Sequence, residues 1–321
     1  MVGSSPAYRP LPYHLLHRGG RPGAWRPLIG VLALVAAFLV VVPVLLQVPF
    51  VVLLLVLGRD VGPGLERLLA LDDPTPMGLA YLNLSLASAI LVTWAITRVV
   101  HGLRPAWLAS VRPRIRWRWL LICFGLSLVA LVATLVVSTV VPAQGDGTRV
   151  GGHLNTFTAT TGQFALVVLL LTPLQAAGEE YAFRGYLTQA FGGLFGRAAA
   201  VVLPAVLFAL AHGGQSPPVF FDRFAFGVVA GLAVVLTGGL EAGIAMHVLN
   251  NWLAFGLALA YGSIASSLNP SGGSWWTIPV TLTQSLVYLG LVLLVARRRG
   301  LATTTSTPVA EGVLAAGSRA V

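Results

Sequence analysis

The sequence predicts an all-α, polytopic transmembrane helical bundle of about eight spans, with both termini cytoplasmic. Three observations carry that reading. Hydrophobic residues make up 56% of the 321 positions and charged residues only 9%, against about 25% charged in a soluble domain. The apolar residues gather in long stretches, several of them near the ~20 residues a helix needs to cross a hydrocarbon core about 30 Å thick. The basic residues, all arginine, fall mainly between those stretches. A mean hydropathy of +0.85 excludes soluble enzymes, coiled coils and disordered chains. The net charge of +10 raises the question of nucleic acid. The arginines, however, sit where the positive-inside rule places them, so the expected partner is the bilayer and not nucleic acid.

Each element follows from local composition. Residues 1–26 are rich in Pro, Gly and Arg and read as a basic disordered N-terminal tail. The apolar run 28–57 exceeds a secretory h-region and reads as one helix, kinked at Pro43 or Pro49. It opens an N-terminal block, 27–162, that holds helices 1–3 and their loops, with further spans at 77–97 and 119–141. Between those two lies a basic stretch, Arg98, Arg104, Arg112, Arg114, Arg116 and Arg118. Trp117 and Trp119 anchor it at the interface, against anionic lipid heads. A polar loop, 142–162, follows. The block 163–262 carries spans from 163 to Glu179, 198–212, 219–238 and 242–262. The last helix, 275–296, lies within 263–300, and 301–321 reads as a disordered tail. With the N-terminus inside, only Arg59, Arg67, Arg149 and Arg223 fall outside. A multi-pass protein of a bacterial cytoplasmic membrane is expected. Cys123, the single cysteine, reads as a small buried hydrophobe.

Ionisable groups inside spans cost several kcal/mol each, so each needs a partner or a purpose. Of the ten acids, Glu179, Glu180, Asp222 and Glu241 fall in or at the ends of second-half spans. Of the six histidines, only His212 and His247 do. On a helix Glu180 and Arg184 stand at i and i+4 and can pair. Glu179 points about 100° away and is left without that partner, which suits it to the part of a general base. His247 and Asn251 share one face. Two imidazoles with an acid suit either a metal-activated water or general-base hydrolysis. Glu241, at a helix start, reads as a favourable dipole contact. Asp222 and Arg223 read as an interfacial ion pair. The groups must meet at one depth, a condition eased if the helix of Glu179 continues through Tyr186 or if span five starts inside the cytosol.

The order Glu179-Glu180-Tyr181-Ala182-Phe183-Arg184-Gly185, then Phe208 through His212, then His247 through Asn251 resembles the CPBP family of intramembrane proteases. That family includes CAAX prenyl endopeptidases and bacteriocin-processing, Abi-type proteins. The resemblance places the catalytic core at 163–262. It implies an endopeptidase acting on a membrane protein or peptide through a Glu-activated water with two His. It assigns Glu179 to the water, with Glu180 and Arg184 in support. His212 and His247 are the site histidines, and Asn251 serves the oxyanion or an ion. Two mechanisms stay open. In one, Zn2+ or another divalent metal is held by His212 and His247 with Glu179 or Asn251, as in a metalloendopeptidase; in the other, the acid works without metal. No His-Glu-x-x-His zinc motif and no Gly-x-Ser-x-Gly elbow is present. The rival classes are a catalytically silent scaffold or immunity protein of the same fold, and a proton-coupled small-molecule transporter.

Overall fold

The computed structural model describes residues 9–139, 153–268 and 274–309. Among these there is no strand, only two isolated β-bridges, Pro12 with Thr304 and Ser110 with Gly239. Seven helices are long and apolar enough to cross a membrane. They are α1 (Trp25–Val56), α3 (Pro76–Val99), α4 (Trp117–Ser138), α5 (Ala159–Phe195), α7 (Pro217–Thr237), α8 (Glu241–Tyr261) and α10 (Thr277–Arg298). The remaining helices are α2 (Val61–Leu69), α6 (Arg197–Leu210) and α9 (Ile264–Leu268).

α6 corrects the expected fifth span. It is apolar but has only 14 residues, about 21 Å, too short by itself for a ~30 Å core. α5 corrects the fourth in the other direction. At 37 residues it runs far beyond Glu179 and continues through Tyr186. α1 is one continuous rod, interrupted by a π-helical stretch at Ala37–Val41. That stretch ends just before Pro43, whose missing N–H and bulky ring disrupt the regular ladder.

Both expected tails are also corrected. Residues 1–8 and 310–321 lie outside the described residues, but the neighbouring segments pack. Tyr13–Gly19 forms a 3-10 helix in which Tyr13 and Leu16 are fully buried. Tyr13 Oη donates to Leu108 O at 2.5 Å. Thr305 N donates to Leu11 O at 3.0 Å, and Leu11 N donates to Thr305 Oγ1 at 3.0 Å. The apolar side chains of this strap had no helical period to betray them. Their burial comes from docking on the end of α5. Part of the polar loop read at 142–162 lies outside the described residues, and α5 already begins at Ala159.

The core is built from small residues and close approaches. α5 packs on α3 and α8, α4 on α8 and α10, and α7 on α6 and α10. Gly178 is the tightest point against α3: a Cβ there would meet the backbone of Leu86 and Ala87. This is the small-residue contact expected between membrane helices, and it seats the adjacent Glu179.

Beneath the strap, Tyr186 Oη and His101 Nε2 are hydrogen bonded at 2.9 Å. His101 stacks on His17 with ring centroids 3.9 Å apart. Neither ring nitrogen of His17 has a hydrogen-bond partner among the described residues. Burial, aided by the Arg26 charge, pulls the His101 imidazole down to about 4. Burial likewise pulls His17 well below its ordinary value. Both rings are therefore neutral when folded. An unfolded chain takes up these protons near pH 6.5, so stability present above that pH is lost as pH falls toward 4. The melting temperature in detergent is expected to drop across that window, and less steeply in His17→Phe. Parallel pH curves for the two chains would contradict this.

Candidate active site

α5 and α8 run antiparallel and are tied at successive levels. Trp252 Nε1 donates to Val168 O at 3.1 Å, and Asn251 Nδ2 donates to Gln175 Oε1 at 3.0 Å. One turn further, His247 lies between two carboxylates. Its Nε2 is 3.2 Å from Glu179 Oε2, and its Nδ1 is 2.9 Å from Glu180 Oε1. A carboxylate is acceptor-only when ionised, so an N–H on the ring satisfies each contact. Glu180 Oε1 also lies 3.0 Å from Arg184 Nη1. The result is one line, Glu179–His247–Glu180–Arg184, with His247, Glu180 and Arg184 buried and Glu179 at 9% exposure.

α5 changes its winding here. The stretch Glu180–Leu187 is π-helical, a wider turn often found at functional sites. Gly243 on α8 makes room for the carboxylate, because a Cβ there would strike Glu180 Oε2. Gly243→Val is therefore expected to displace Glu180 and lower the melting temperature. An unchanged melting temperature would show that α8 can shift instead.

The aromatic hub is Phe208. The Arg184 guanidinium carbon lies 4.2 Å from its ring centroid, a cation–π contact. Phe208 also meets the rings of His212 at 4.7 Å and His247 at 5.8 Å. Phe226 closes on His247 from α7 at 5.3 Å. His212 follows the last turn of α6 and is exposed. Its Nδ1 bonds Phe208 O at 2.7 Å; a carbonyl can only accept, so the proton sits on Nδ1 and Nε2 is the basic nitrogen. The loop beyond is tied by Gln215, whose Nε2 donates to Ala209 O at 2.5 Å and whose Oε1 accepts from Arg223 Nη1 at 2.5 Å. Arg223 thus bonds Gln215, where an ion pair with Asp222 was expected.

Residues 161–253 match the family model described as type II CAAX prenyl endopeptidase Rce1-like. This segment is Rce1-like. The match is consistent with the CPBP family of intramembrane proteases. No curated protein and no solved structure gives a match. The Rce1-like segment contains every motif residue and runs from the first turn of α5 to Leu253 of α8. The seven apolar helices indicate an integral, multi-pass membrane protein.

The structure brings Glu179, Glu180, Arg184 and His247 into direct contact, with His212 beside them across Phe208. Asn251 lies one turn away from His247, on Gln175. Sequence reasoning missed Gln175, although it stands at i−4 from Glu179. It also missed the hub role of Phe208, and Phe226, which no spacing marks. Glu241 is more than a dipole contact. Fully buried, it accepts a fork from Arg116 Nε at 2.8 Å and Nη2 at 2.6 Å, and the Arg116 backbone N–H at 2.8 Å. That pair pins the loop before α4 to the start of α8.

The donor set fits a metal ion poorly. Both ring nitrogens of His247 are engaged by carboxylates. Among the described residues, no group of three or more His, Cys, Asp or Glu is placed to hold an ion. As arranged, the site does not present two vacant imidazole nitrogens to a metal.

Proposed function

We propose that this protein is an intramembrane endopeptidase that hydrolyses a peptide bond of a membrane-associated protein or peptide. The observation that carries the reading is the buried line Glu179–His247–Glu180–Arg184, lying wholly inside the Rce1-like segment.

Glu179 is the end member of that line and the one that retains exposure. Its Oε2 faces His247, and its other oxygen takes a proton from water. The hydroxide so formed attacks the scissile carbonyl carbon. Asn251 has two amide N–H groups, of which one is held by Gln175. The other donates to the oxyanion that develops on the carbonyl oxygen, usually a large term in acyl transfer. Glu179 then returns its proton to the leaving nitrogen as the C–N bond breaks. Glu180 and Arg184 keep His247 in place. His212, with its proton fixed on Nδ1, offers Nε2 to orient the water.

The test is membrane-fraction terminomics of cells that express the wild-type chain or Glu179→Gln at matched levels. New peptide termini that depend on Glu179 are the expected result and identify the substrates. Identical profiles, with the variant folded, would favour a scaffold. Proton flux in liposomes that survives in the wild type alone would favour a transporter.

A further inference from the structure

Away from the site, the basic loop before α4 encloses a cavity of about 670 Å³, lined by Arg114, Arg116, Arg118, Trp94, Trp117 and Tyr181. The three arginines differ in what they already bind. Arg116 is committed to Glu241 and to the carbonyls of Thr237 and Ala302, so its charge is balanced. Arg114 and Arg118 are exposed, and among the described residues their guanidinium groups make no hydrogen bond or ion pair. The cavity thus has an uncompensated positive mouth.

Its walls are aromatic and lie deeper. Arg114 stands three residues before the first residue of α4, at the membrane-surface end of that span. Trp94 lies five residues inside the end of α3, about 7 Å along the axis. It packs edge-to-face on Tyr181, with centroids 6.3 Å apart. Cationic groups above and amphipathic rings below reproduce the vertical order of a lipid, charged head over apolar chain. Guanidinium forks match phosphate oxygens bidentately.

We propose that this cavity binds the phosphodiester headgroup of an anionic phospholipid. Arg114 and Arg118 fork onto the phosphate oxygens. Trp94, Trp117 and Tyr181 wall the glycerol and the first acyl carbons. With Arg116 neutralised, no acidic side chain among the described residues lines the cavity to welcome a choline or ethanolamine cation, so a headgroup with net negative charge is selected. Tyr181 follows Glu180 directly in α5, so the lipid would rest on the helix that carries the candidate site.

The full chain in neutral detergent is titrated with phosphatidylglycerol or phosphatidylcholine, and bound lipid is read by native mass spectrometry. Phosphatidylglycerol is expected to bind preferentially, with a preference that weakens as salt rises. Two arginines near a lipid surface correspond to roughly a 25-fold difference in affinity. The double variant R114Q/R118Q should lose about that factor for phosphatidylglycerol and little for phosphatidylcholine, with an unchanged melting temperature in lipid-free detergent. R98Q/R112Q, which changes arginines outside the cavity, should retain the preference. Equal binding of the two lipids by the wild type would overturn the proposal, whatever the variants do. So would an equal loss in R98Q/R112Q, which would indicate diffuse surface charge. Displacement of phosphatidylglycerol by an equal concentration of inorganic phosphate or glycerophosphoglycerol would mark a free-anion site. Displacement by an acidic peptide would mark a peptide site.

Discussion

Glu179→Gln is expected to lower peptide-bond turnover by two to four orders of magnitude, the usual contribution of a positioned general base. The substitution keeps the size of the side chain and its ability to face His247 Nε2, now 3.2 Å from Glu179 Oε2. It removes only the capacity to take a proton from water. The melting temperature should therefore stay close to wild type, which separates chemistry from folding. Glu180→Gln makes the contrast. Glu180 is fully buried and touches both His247 and Arg184, so its loss should reduce stability as well as activity. The measurement is single-turnover cleavage, in liposomes, of a substrate found by terminomics. Turnover within tenfold of wild type for Glu179→Gln would remove Glu179 from the role of base.

The second large effect is on stability. Arg184→Ala is expected to destabilise the protein by about 3–5 kcal/mol, the range for breaking a buried ion pair by deleting one partner. Arg184 is 1% exposed and its partner Glu180 is 0% exposed. Truncation leaves the Glu180 carboxylate inside the bundle without its cation and also removes the face that packs on Phe208. The double change E180Q/R184M removes both charges while keeping volume, and should recover more than half of the loss. Denaturant unfolding in mixed micelles reads both. A loss below about 1 kcal/mol for Arg184→Ala would place this pair with surface ion pairs, which would mean that His247 alone compensates Glu180.

Much of the site was legible because it obeys helical spacing. Glu180 and Arg184 at i and i+4 meet as expected, and the apolar surroundings made each charge conspicuous. What spacing could not supply was pairing between helices. That Glu179 lacks Arg184 follows from the helical period, but that His247 takes Arg184's place depends on how α5 and α8 are brought together. Gly178 and Gly243 set that approach, and a glycine in a membrane helix does not announce which neighbour it admits. The Arg116–Glu241 fork joins residues far apart in sequence, with no local signal beyond a buried acid in need of a partner. The helix class and the broad order of the spans followed from composition and run length. The reading of 198–212 as a full span is the exception: the run is apolar enough to suggest a crossing but shorter than the ~20 residues one needs, and the helix Arg197–Leu210 keeps that short length.

The pairing of the two chain ends also carries a topological consequence. Leu11 and Thr305 exchange hydrogen bonds, so they occupy the same side of any membrane the protein inhabits. A chain that starts and finishes on one side must have traversed the bilayer an even number of times. Among the described residues, the seven helices with the length to traverse it give an odd total if each does so once. Parity therefore assigns α6 a share of the path: the 37-residue α5 and the 14-residue α6 together must carry the chain out and back, or one of the seven must fail to cross. The turn between the two limbs falls at Gly196, and the residues of the candidate site lie away from it, with Glu179 and Arg184 on the long limb and Phe208 and His212 toward the far end of the short one.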